Sequence, residues 1–163
     1  MTAQIIGIAG RAGSGKDTLA HLLCSHLRQA QRMAFADPVK TAVAEAFGFD
    51  YATVFSAEFK TAHYAQWGLT GREILQRFGT EAMRNTFGQD FWVKRLMSQA
   101  QQRMARGTTI VVSDVRFENE AEAIRSAGGS LIHLRRPNTE PIAESGHVSE
   151  ATLSGHVTDY LIE

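Results

Sequence analysis

The pattern of apolar and polar residues predicts strands that alternate with helices. Short apolar runs rich in Ile, Val and Leu are typical of buried strands. Apolar residues that recur every three or four positions, such as Leu19, Leu22 and Leu23, indicate a helix with one buried face. Strands are predicted at Gln4–Ala9, Met33–Phe35, Thr109–Ser113, Ser130–Leu134 and Val157–Ile162, and helices at Lys16 to about Ala30, Pro38 to about Phe47, Gly71–Arg84, Asp90–Arg106 and Glu118–Ala127.

Two stretches have no clear period. Residues 50–69 are rich in aromatic side chains and are expected to be irregular and partly helical, within a substrate-binding insertion of about 50–95. Residues 135–154 are polar, contain two prolines, and are expected to form a mobile lid. Because alternating strands and helices usually form a parallel sheet covered on both faces, the predicted fold is one three-layer α/β/α domain over residues 1–163.

A glycine-rich loop follows the first predicted strand. Residues 10–18 read GRAGSGKDT and match the phosphate-loop pattern GxxxxGK. Glycines let backbone N–H groups turn towards phosphate oxygens, the following helix presents its positive end, and Lys16 adds a full charge. A plain glycine turn is the alternative, but the flanking strand and helix supply the context that the pattern requires. The predicted nucleotide-binding residues are Gly10, Gly13, Ser14, Gly15, Lys16, Asp17 and Thr18.

Asp17 stands where the phosphate-loop pattern expects Ser or Thr. The usual hydroxyl contacts Mg²⁺, and a carboxylate is a harder ligand for the same ion. Asp17 is therefore interpreted as a magnesium ligand, directly or through water, with Thr18 donating to a phosphate. The alternative is that Asp17 only favours the positive end of its helix.

A second acidic residue, Asp114, ends the apolar run Ile110–Ser113. In open α/β sheets ligands bind at the carboxyl ends of the strands. Asp114 is accordingly predicted to hold magnesium in the Walker B role, and an ordinary helix-capping Asp is the alternative. Arg116, two residues further on, either reaches a phosphoryl group or pairs locally with Glu118 or Glu120.

Several arginines could bind phosphate. On the predicted helix Gly71–Arg84, Arg77 and Arg84 share a polar face, which is either solvated with local ion pairs or a clamp for a substrate phosphate. Arg135 and Arg136 precede the predicted lid and suit stabilisation of the charge that develops in phosphoryl transfer.

Composition excludes several other classes of protein. Seventeen basic and seventeen acidic side chains cancel, so no overall field favours nucleic acid or an anionic membrane. No apolar run approaches the roughly 20 residues of a membrane span, and no signal pattern is present at the N-terminus. Cys24 is the single cysteine, which fits a reducing compartment. The expected location is the cytoplasm, that of the host if the chain is phage-encoded.

The sequence resembles the bacteriophage deoxynucleoside monophosphate kinases. The resemblance rests on SGKDT at Ser14–Thr18, FADPVK at Phe35–Lys40, LQRFGTEAMR at Leu75–Arg84, DFW at Asp90–Trp92 and SDVRFENEAEAI at Ser113–Ile124, and it continues through HVSE at His147–Glu150. Members of this family usually continue past the last strand into a further helix, whereas this sequence ends at Glu163.

The resemblance implies an activity and a set of site residues. The family transfers a phosphoryl group from ATP, with Mg²⁺, to deoxynucleoside 5′-monophosphates on a nucleoside-monophosphate-kinase-like fold. It implies ATP and metal contacts at Lys16–Thr18 and Asp114. A homodimer is a separate expectation for this chain. Catalytic roles would fall to Lys16, Arg77, Arg116, Glu120 and Arg136, and substrate contacts to Asp37, Lys40, Arg77, Arg84 and Trp92.

Other functions compete with this prediction. A P-loop kinase of another small phosphate ester, such as dephospho-coenzyme A or phosphomevalonate, would differ mainly in residues 50–95. A non-catalytic ATP-binding switch would lack the clustered arginines and the lid. The zero net charge gives no polyanion-binding footprint for a nucleic-acid ATPase.

Overall fold

A computed structural model describes residues 3–135 and 160–162 of the chain. The chain divides into two compact units, one formed by Met1–Ala34 with Val93–Glu163 and the other by Phe35–Trp92. The strands are β1 (Ile5–Ala9), β2 (Ala30–Met33), β3 (His63–Tyr64), β4 (Leu69–Thr70), β5 (Thr109–Val115), β6 (Ser130–Leu134) and β7 (Tyr160–Ile162). The helices are α1 (Lys16–His26), α2 (Ala36–Phe47), α3 (Tyr51–Phe55), α4 (Gly71–Gln76), α5 (Asn85–Phe87), α6 (Phe91–Met104) and α7 (Glu118–Ser126).

A five-stranded sheet forms the centre of the first unit. Its order is β2–β5–β1–β6–β7, and each neighbouring pair is parallel. Parallel strands of one sheet need crossover connections, and α1 between β1 and β2 and α7 between β5 and β6 serve as two of them. The predicted three-layer α/β/α fold is therefore confirmed.

The two central strands, β1 and β5, are the most deeply buried. Ile5 and Ile8 on β1, and Ile110, Val111 and Val112 on β5, are fully buried. A strand covered on both faces needs apolar residues on both, which is why these segments read as continuous apolar runs. Their pairing places the phosphate loop that follows β1 next to the carboxyl end of β5.

Several predicted boundaries in the first half of the chain were wrong. Helix α1 ends at His26 rather than near Ala30, because Leu27 is extended and Gln29 adopts a left-handed φ of 52°. This turn starts β2 at Ala30, in register with Thr109, so the strand is Ala30–Met33 and not Met33–Phe35.

The second unit has its own apolar core. Its buried members are Val43, Ala44, Val54, Phe59 and Ile74, against which further aromatic residues pack. Helix α3 and a 3-10 turn at Glu58–Lys60 lead into the antiparallel hairpin β3–β4. The expected irregular insertion is thus partly helical, but it also contains a hairpin that the apolar pattern did not indicate.

The predicted helix Gly71–Arg84 changes its winding halfway. It is α-helical through α4, where Thr70 and Glu73 form a reciprocal capping box, and then π-helical over Arg77–Arg84. Gly79, inside the π-helical segment, is buried, and a Cβ there would lie 3.2 Å from Val39 of α2. Wide turns of this kind occur often at functional sites.

Within residues 3–135 and 160–162, no helix is both long and apolar enough to cross a membrane.

The core of the second unit predicts the effect of removing an aromatic ring. Phe59 is 1% exposed, and its ring contacts those of Phe49 and Tyr64 at centroid distances of 5.4 and 5.1 Å. We expect Phe59→Ala to lower the free energy of unfolding by about 3–5 kcal/mol, since it leaves a cavity. Urea denaturation measures the change. The control Phe87→Ala removes a ring that is 65% exposed and should cost less than about 0.5 kcal/mol; equal losses in both variants would contradict the core assignment.

Candidate active site

Three glycines shape the loop between β1 and α1. Gly10, Gly13 and Gly15 have φ angles of 148°, 75° and 96°, in a region that side chains with a Cβ rarely adopt. Gly10 also has no space for one, because a Cβ would lie 2.4 Å from the carbonyl oxygen of Leu134 on β6. The path of the loop therefore requires glycine at position 10 on two independent grounds.

Ser14 in this loop and Lys16 at the start of α1 bring polar groups to its inner side. Lys16 Nζ donates to the carbonyl oxygens of Gly10 and Arg11 at 2.7 and 2.6 Å, so the ammonium group lies along the loop. Ser14 Oγ is buried and has no hydrogen-bond partner among the described residues. Buried hydroxyls are normally paired, and an unpaired one next to a lysine and a helix N-terminus fits a site for a phosphate oxygen.

Asp17 lies in the first turn of α1, and its carboxylate contacts two strands, β5 and β2. Its Oδ1 accepts a hydrogen bond from Ser113 Oγ of β5 at 2.9 Å and bonds from Arg32 Nε and Nη2 of β2 at 3.3 and 3.2 Å. Burial alone would raise the pKa of Asp17, but the Ser113 bond and the charges of Arg32 and Lys16 outweigh it. The pKa therefore lies below its ordinary value, and the group is ionised at neutral pH.

The carboxyl end of β5 carries an extra residue relative to β1. Gly7 pairs with Val112 and Ala9 with Val115, so two steps along β1 match three along β5. This bulge contains Ser113 and Asp114. Ser113 is buried and bonded to Asp17, whereas Asp114 is half-buried. Bulges re-aim side chains at sheet ends, and this one brings Ser113 against the phosphate-loop helix. The magnesium role of Asp114 stays a prediction.

Arg116 and Glu120 are joined through the backbone. Glu120 is 1% exposed, and its Oε2 accepts hydrogen bonds from the backbone N–H groups of Arg116 and Phe117 at 2.9 and 3.1 Å. The carboxylate thus holds the turn between β5 and α7 and fixes where the Arg116 side chain leaves the backbone. The predicted catalytic role of Arg116 stays a prediction, and Glu120 is placed to position it.

The second unit contains the predicted substrate-binding residues. Helix α2, with Asp37 and Lys40, packs against the π-helical segment that begins at Arg77 and ends at Arg84. Lys40 Nζ lies 4.8 Å from the centroid of the Phe55 ring, and Arg77 is exposed. The fold of this unit therefore brings three basic side chains onto two packed elements.

Trp92 and Arg84 are core residues in this structure. Trp92 is 4% exposed, and its Nε1 donates to the carbonyl oxygen of Gly79 at 2.9 Å. Arg84 is 6% exposed and donates from Nη1 to the carbonyl oxygen of Gln89 at 3.4 Å. These contacts stabilise the π-helical segment, so both side chains have a structural role that the sequence did not indicate. Their substrate contacts stay predictions.

The predicted Arg136 and nearly all of the predicted lid, residues 135–154, lie outside the described residues, as does the start of the predicted strand Val157–Ile162.

Sequence reasoning missed Ser113 and Arg32, which both bond Asp17. Ser113 could have been predicted from the sequence. Since Asp17 replaces the usual loop hydroxyl, a hydroxyl residue at the end of a neighbouring strand is a natural partner for its carboxylate. Arg32 could not have been predicted, since its contact depends on the register of β2 with β5, and that strand was predicted three residues too late.

His133 is a further unpredicted group near the loop. It pairs with Ala9 across the β1–β6 ladder, and its Nδ1 is buried without a partner among the described residues. Burial lowers the pKa of His133 below its ordinary value, and the positive charges of Arg135 and Lys16 lower it further.

This environment predicts a pH dependence of stability. Between the lowered folded pKa of His133 and the unfolded value near 6.5, the unfolded chain binds more protons, so stability rises with pH and the full contribution is present above about 6.5. We expect His133→Asn to flatten the increase in unfolding free energy between about pH 5 and 7. Urea titrations at a series of pH values measure it, and identical slopes for both proteins would contradict the assignment.

Comparison with known proteins identifies the family of this chain. A model of the deoxynucleotide monophosphate kinase family matches residues 50–163, which is more than half of the chain and includes β5 but not the phosphate loop. A protein of Acanthamoeba polyphaga mimivirus, provisionally named a deoxynucleotide monophosphate kinase, is 34% identical over 165 residues, covering 91% of this chain and 81% of its own.

Two phage proteins match a shorter stretch. The deoxynucleotide monophosphate kinases of Enterobacteria phage T4 and Escherichia phage RB69 are each 30% identical, over 89 and 92 residues. These matches cover 54% and 56% of this chain, and the matched segments make up 35% and 37% of the phage proteins. With a family match over residues 50–163 and a relative that covers nearly the whole length, this chain belongs to the deoxynucleotide monophosphate kinase family, a family of phosphotransferases.

Proposed function

We propose that this protein transfers the γ-phosphoryl group of ATP to a deoxynucleoside 5′-monophosphate, with Mg²⁺. The observation that carries the proposal is the phosphate loop, in which three glycines of positive φ, Lys16 and an unpartnered buried Ser14 hydroxyl surround the N-terminus of α1. Such a loop binds the phosphates of a nucleotide through backbone N–H groups and a fixed positive charge.

The loop residues have distinct roles in this proposal. The N–H groups of Gly13, Gly15 and Lys16 would bind phosphate oxygens, and Ser14 Oγ would complete its hydrogen bonding with one of them. Lys16 Nζ would exchange its two carbonyl acceptors for the β- and γ-phosphates, and Thr18, exposed on α1, would donate to another phosphate oxygen.

The carboxylates fit a hard divalent cation. Magnesium usually keeps several waters and binds one or two carboxylates together with substrate phosphates. Asp17 is ionised and its side chain is 72% exposed, so it can accept such an ion; Asp114 at the end of β5 is the second candidate ligand. When bound, the ion would neutralise charge that develops on the phosphates.

The second unit would bind the acceptor. Arg77 is exposed and its guanidinium suits a bidentate contact to a phosphate dianion. Asp37 and Lys40 on the packed helix α2 would add polar contacts, with Arg84 and Trp92 shaping the segment that carries Arg77. Arg116, held by Glu120, and Arg136 would stabilise charge on the transferred group.

The family match favours a nucleotide acceptor over other phosphate esters. The matched residues 50–163 include the whole of the predicted insertion of about 50–95, which is the part of the chain expected to bind the acceptor. The family relatives are named for deoxynucleotide monophosphates, and the acceptor of this chain is proposed on that basis.

The first test is an ADP-release assay with dAMP, dGMP, dCMP, dTMP and the ribonucleotides as acceptors. We expect turnover with at least one deoxynucleoside monophosphate, and Lys16→Ala to reduce it by about 100-fold or more, since it removes a charge that stabilises the transition state. Lys94→Ala, which removes an exposed lysine of α6, should retain wild-type turnover. No turnover with any monophosphate, while ATP binds, would contradict the proposal.

Arg77 and Arg84 lie on the same π-helical segment, but Arg77 is exposed and Arg84 is buried, so their variants distinguish a substrate contact from a packing contact. We expect Arg77→Ala to lower kcat/KM for the monophosphate by about 10- to 100-fold while its unfolding free energy changes by less than about 0.5 kcal/mol, because the side chain is exposed. Arg84→Ala should instead cost about 1–3 kcal/mol of stability, since it leaves the Gln89 carbonyl without this donor.

Kinetics and urea denaturation of both variants provide the comparison. The assignment of Arg77 would be wrong if its variant lost stability as Arg84→Ala does while kcat/KM stayed at the wild-type value.

A further inference from the structure

The Asp17–Ser113 hydrogen bond joins the two elements that hold magnesium in P-loop enzymes. In the usual arrangement the loop supplies a Ser or Thr hydroxyl and the end of a neighbouring strand supplies an Asp carboxylate. Here the loop helix supplies the carboxylate of Asp17 and the end of β5 supplies the hydroxyl of Ser113, 96 positions away and 2.9 Å distant. This pair therefore reverses the usual placement, with the carboxylate on the loop helix and the hydroxyl on the strand, while Asp114, the next residue of β5, adds a second carboxylate at the strand end.

The hydrogen bonds that Ser113 and Arg32 donate to the Asp17 carboxylate are all on one oxygen. Oδ1 accepts from Ser113 Oγ, Arg32 Nε and Arg32 Nη2. Oδ2 accepts no hydrogen bond from any described residue. A carboxylate has about four acceptor sites, so a carboxylate fixed through Oδ1 offers Oδ2 to a cation in a set direction.

Ser113 is the more rigid of the two residues that hold Oδ1. It is 1% exposed, and Asp17 is the partner of its hydroxyl. The Arg32–Asp17 pair is longer, at 3.2 Å, and the Asp17 side chain is 72% exposed, so water and salt screen it. A buried hydroxyl on a central strand therefore sets the orientation of the carboxylate, and Arg32 adds charge beside it.

We propose that Asp17 and Ser113 form an exchanged hydroxyl–carboxylate pair in which Ser113 positions Asp17 through Oδ1 and leaves Oδ2 for the magnesium of the nucleotide. The inference rests on the proposed function, because it needs a metal–nucleotide complex at the phosphate loop. Ser113 is then a positioning residue, and Asp17 on the loop helix supplies a carboxylate to the metal site in addition to the one proposed for Asp114 on the strand.

The test is an exchange of the two residues. Asp17→Ser, Ser113→Asp and the double variant Asp17→Ser/Ser113→Asp form a cycle in which the double variant restores the usual arrangement. Calorimetric titration of ATP in Mg²⁺ and in EDTA gives the metal-dependent gain in affinity for each protein. Unfolding of the metal-free proteins in urea gives the stability coupling independently of nucleotide.

We expect each single variant to reduce the metal-dependent gain by about tenfold or more, as for residues that orient a metal ligand, and the double variant to recover most of it. The metal-free double variant should also be more stable than the sum of the two single changes implies, since Ser113→Asp alone places two carboxylates together. ATP affinity in EDTA should change by less than about threefold in Asp17→Ser, which leaves Lys16 and the glycines in place.

Ser113→Ala keeps the test decisive if Ser113→Asp fails to fold. It removes only the hydroxyl and should lower the metal-dependent gain about tenfold. The control Ser25→Ala removes an exposed hydroxyl near the far end of α1, bonded locally to the Leu22 carbonyl oxygen, and should leave the gain unchanged. An unchanged gain in Ser113→Ala, or a double variant no better than Asp17→Ser, would overturn the proposal.

These measurements contain no acceptor, so the two proposals can fail separately. If the metal-dependent gain in ATP affinity is lost in the single variants and recovered in the double variant, but no monophosphate is phosphorylated, the Asp17–Ser113 pair is supported and the proposed acceptor is wrong. If a monophosphate is phosphorylated but the effects of Asp17→Ser and Ser113→Asp on the metal-dependent gain are strictly additive, the proposed function is supported and the pair is wrong.

Discussion

The parallel pairing of β1 with β5 is the constraint on which the phosphate site depends. It places the carboxyl ends of two buried strands side by side, so that the loop after β1 and the bulge at the end of β5 lie within hydrogen-bond distance. The strands are held by apolar residues that are fully buried, whereas the groups at their ends are polar and partly exposed. The apolar residues of each strand therefore stabilise the fold, and the polar groups at its end form the candidate site. The site is held rigidly by buried residues that do not belong to it.

The division of the chain into two units matches the proposed division of chemical roles. The first unit carries the phosphate loop, Asp17, Asp114 and Arg116, all on or next to the ends of sheet strands. The second unit carries Arg77 on a π-helical segment that depends on the Trp92–Gly79 hydrogen bond and the close approach of Val39. A wide helical turn held by a buried indole is a costly feature for packing alone, and it accords with the proposed binding of an acceptor phosphate by the residue that begins it.

The parts of the structure that sequence predicted are those with strong local signals. The β1 strand, the glycine loop and β6 were found because apolar runs and glycines in order leave few alternatives. The β3–β4 hairpin was not, because its strands are two residues long and carry no alternation. The π-helical winding of Arg77–Arg84 was not either, since it depends on the contacts of Gly79 and Trp92. At the site, Asp17 and Lys16 were evident, but the bulge that brings Ser113 to Asp17 depends on a one-residue difference in strand register.

The proposed activity is transfer of the γ-phosphoryl group of ATP, bound at the phosphate loop, to a nucleotide instead of to water. The most direct measurement follows the γ-phosphoryl of ³²P-labelled ATP in the presence of Mg²⁺ and a deoxynucleoside monophosphate, with separation of the products by chromatography. We expect the label to appear in the β-position of a deoxynucleoside diphosphate, in equal amount to the ADP formed. Label recovered only as inorganic phosphate, or retained in ATP with every monophosphate, would contradict it.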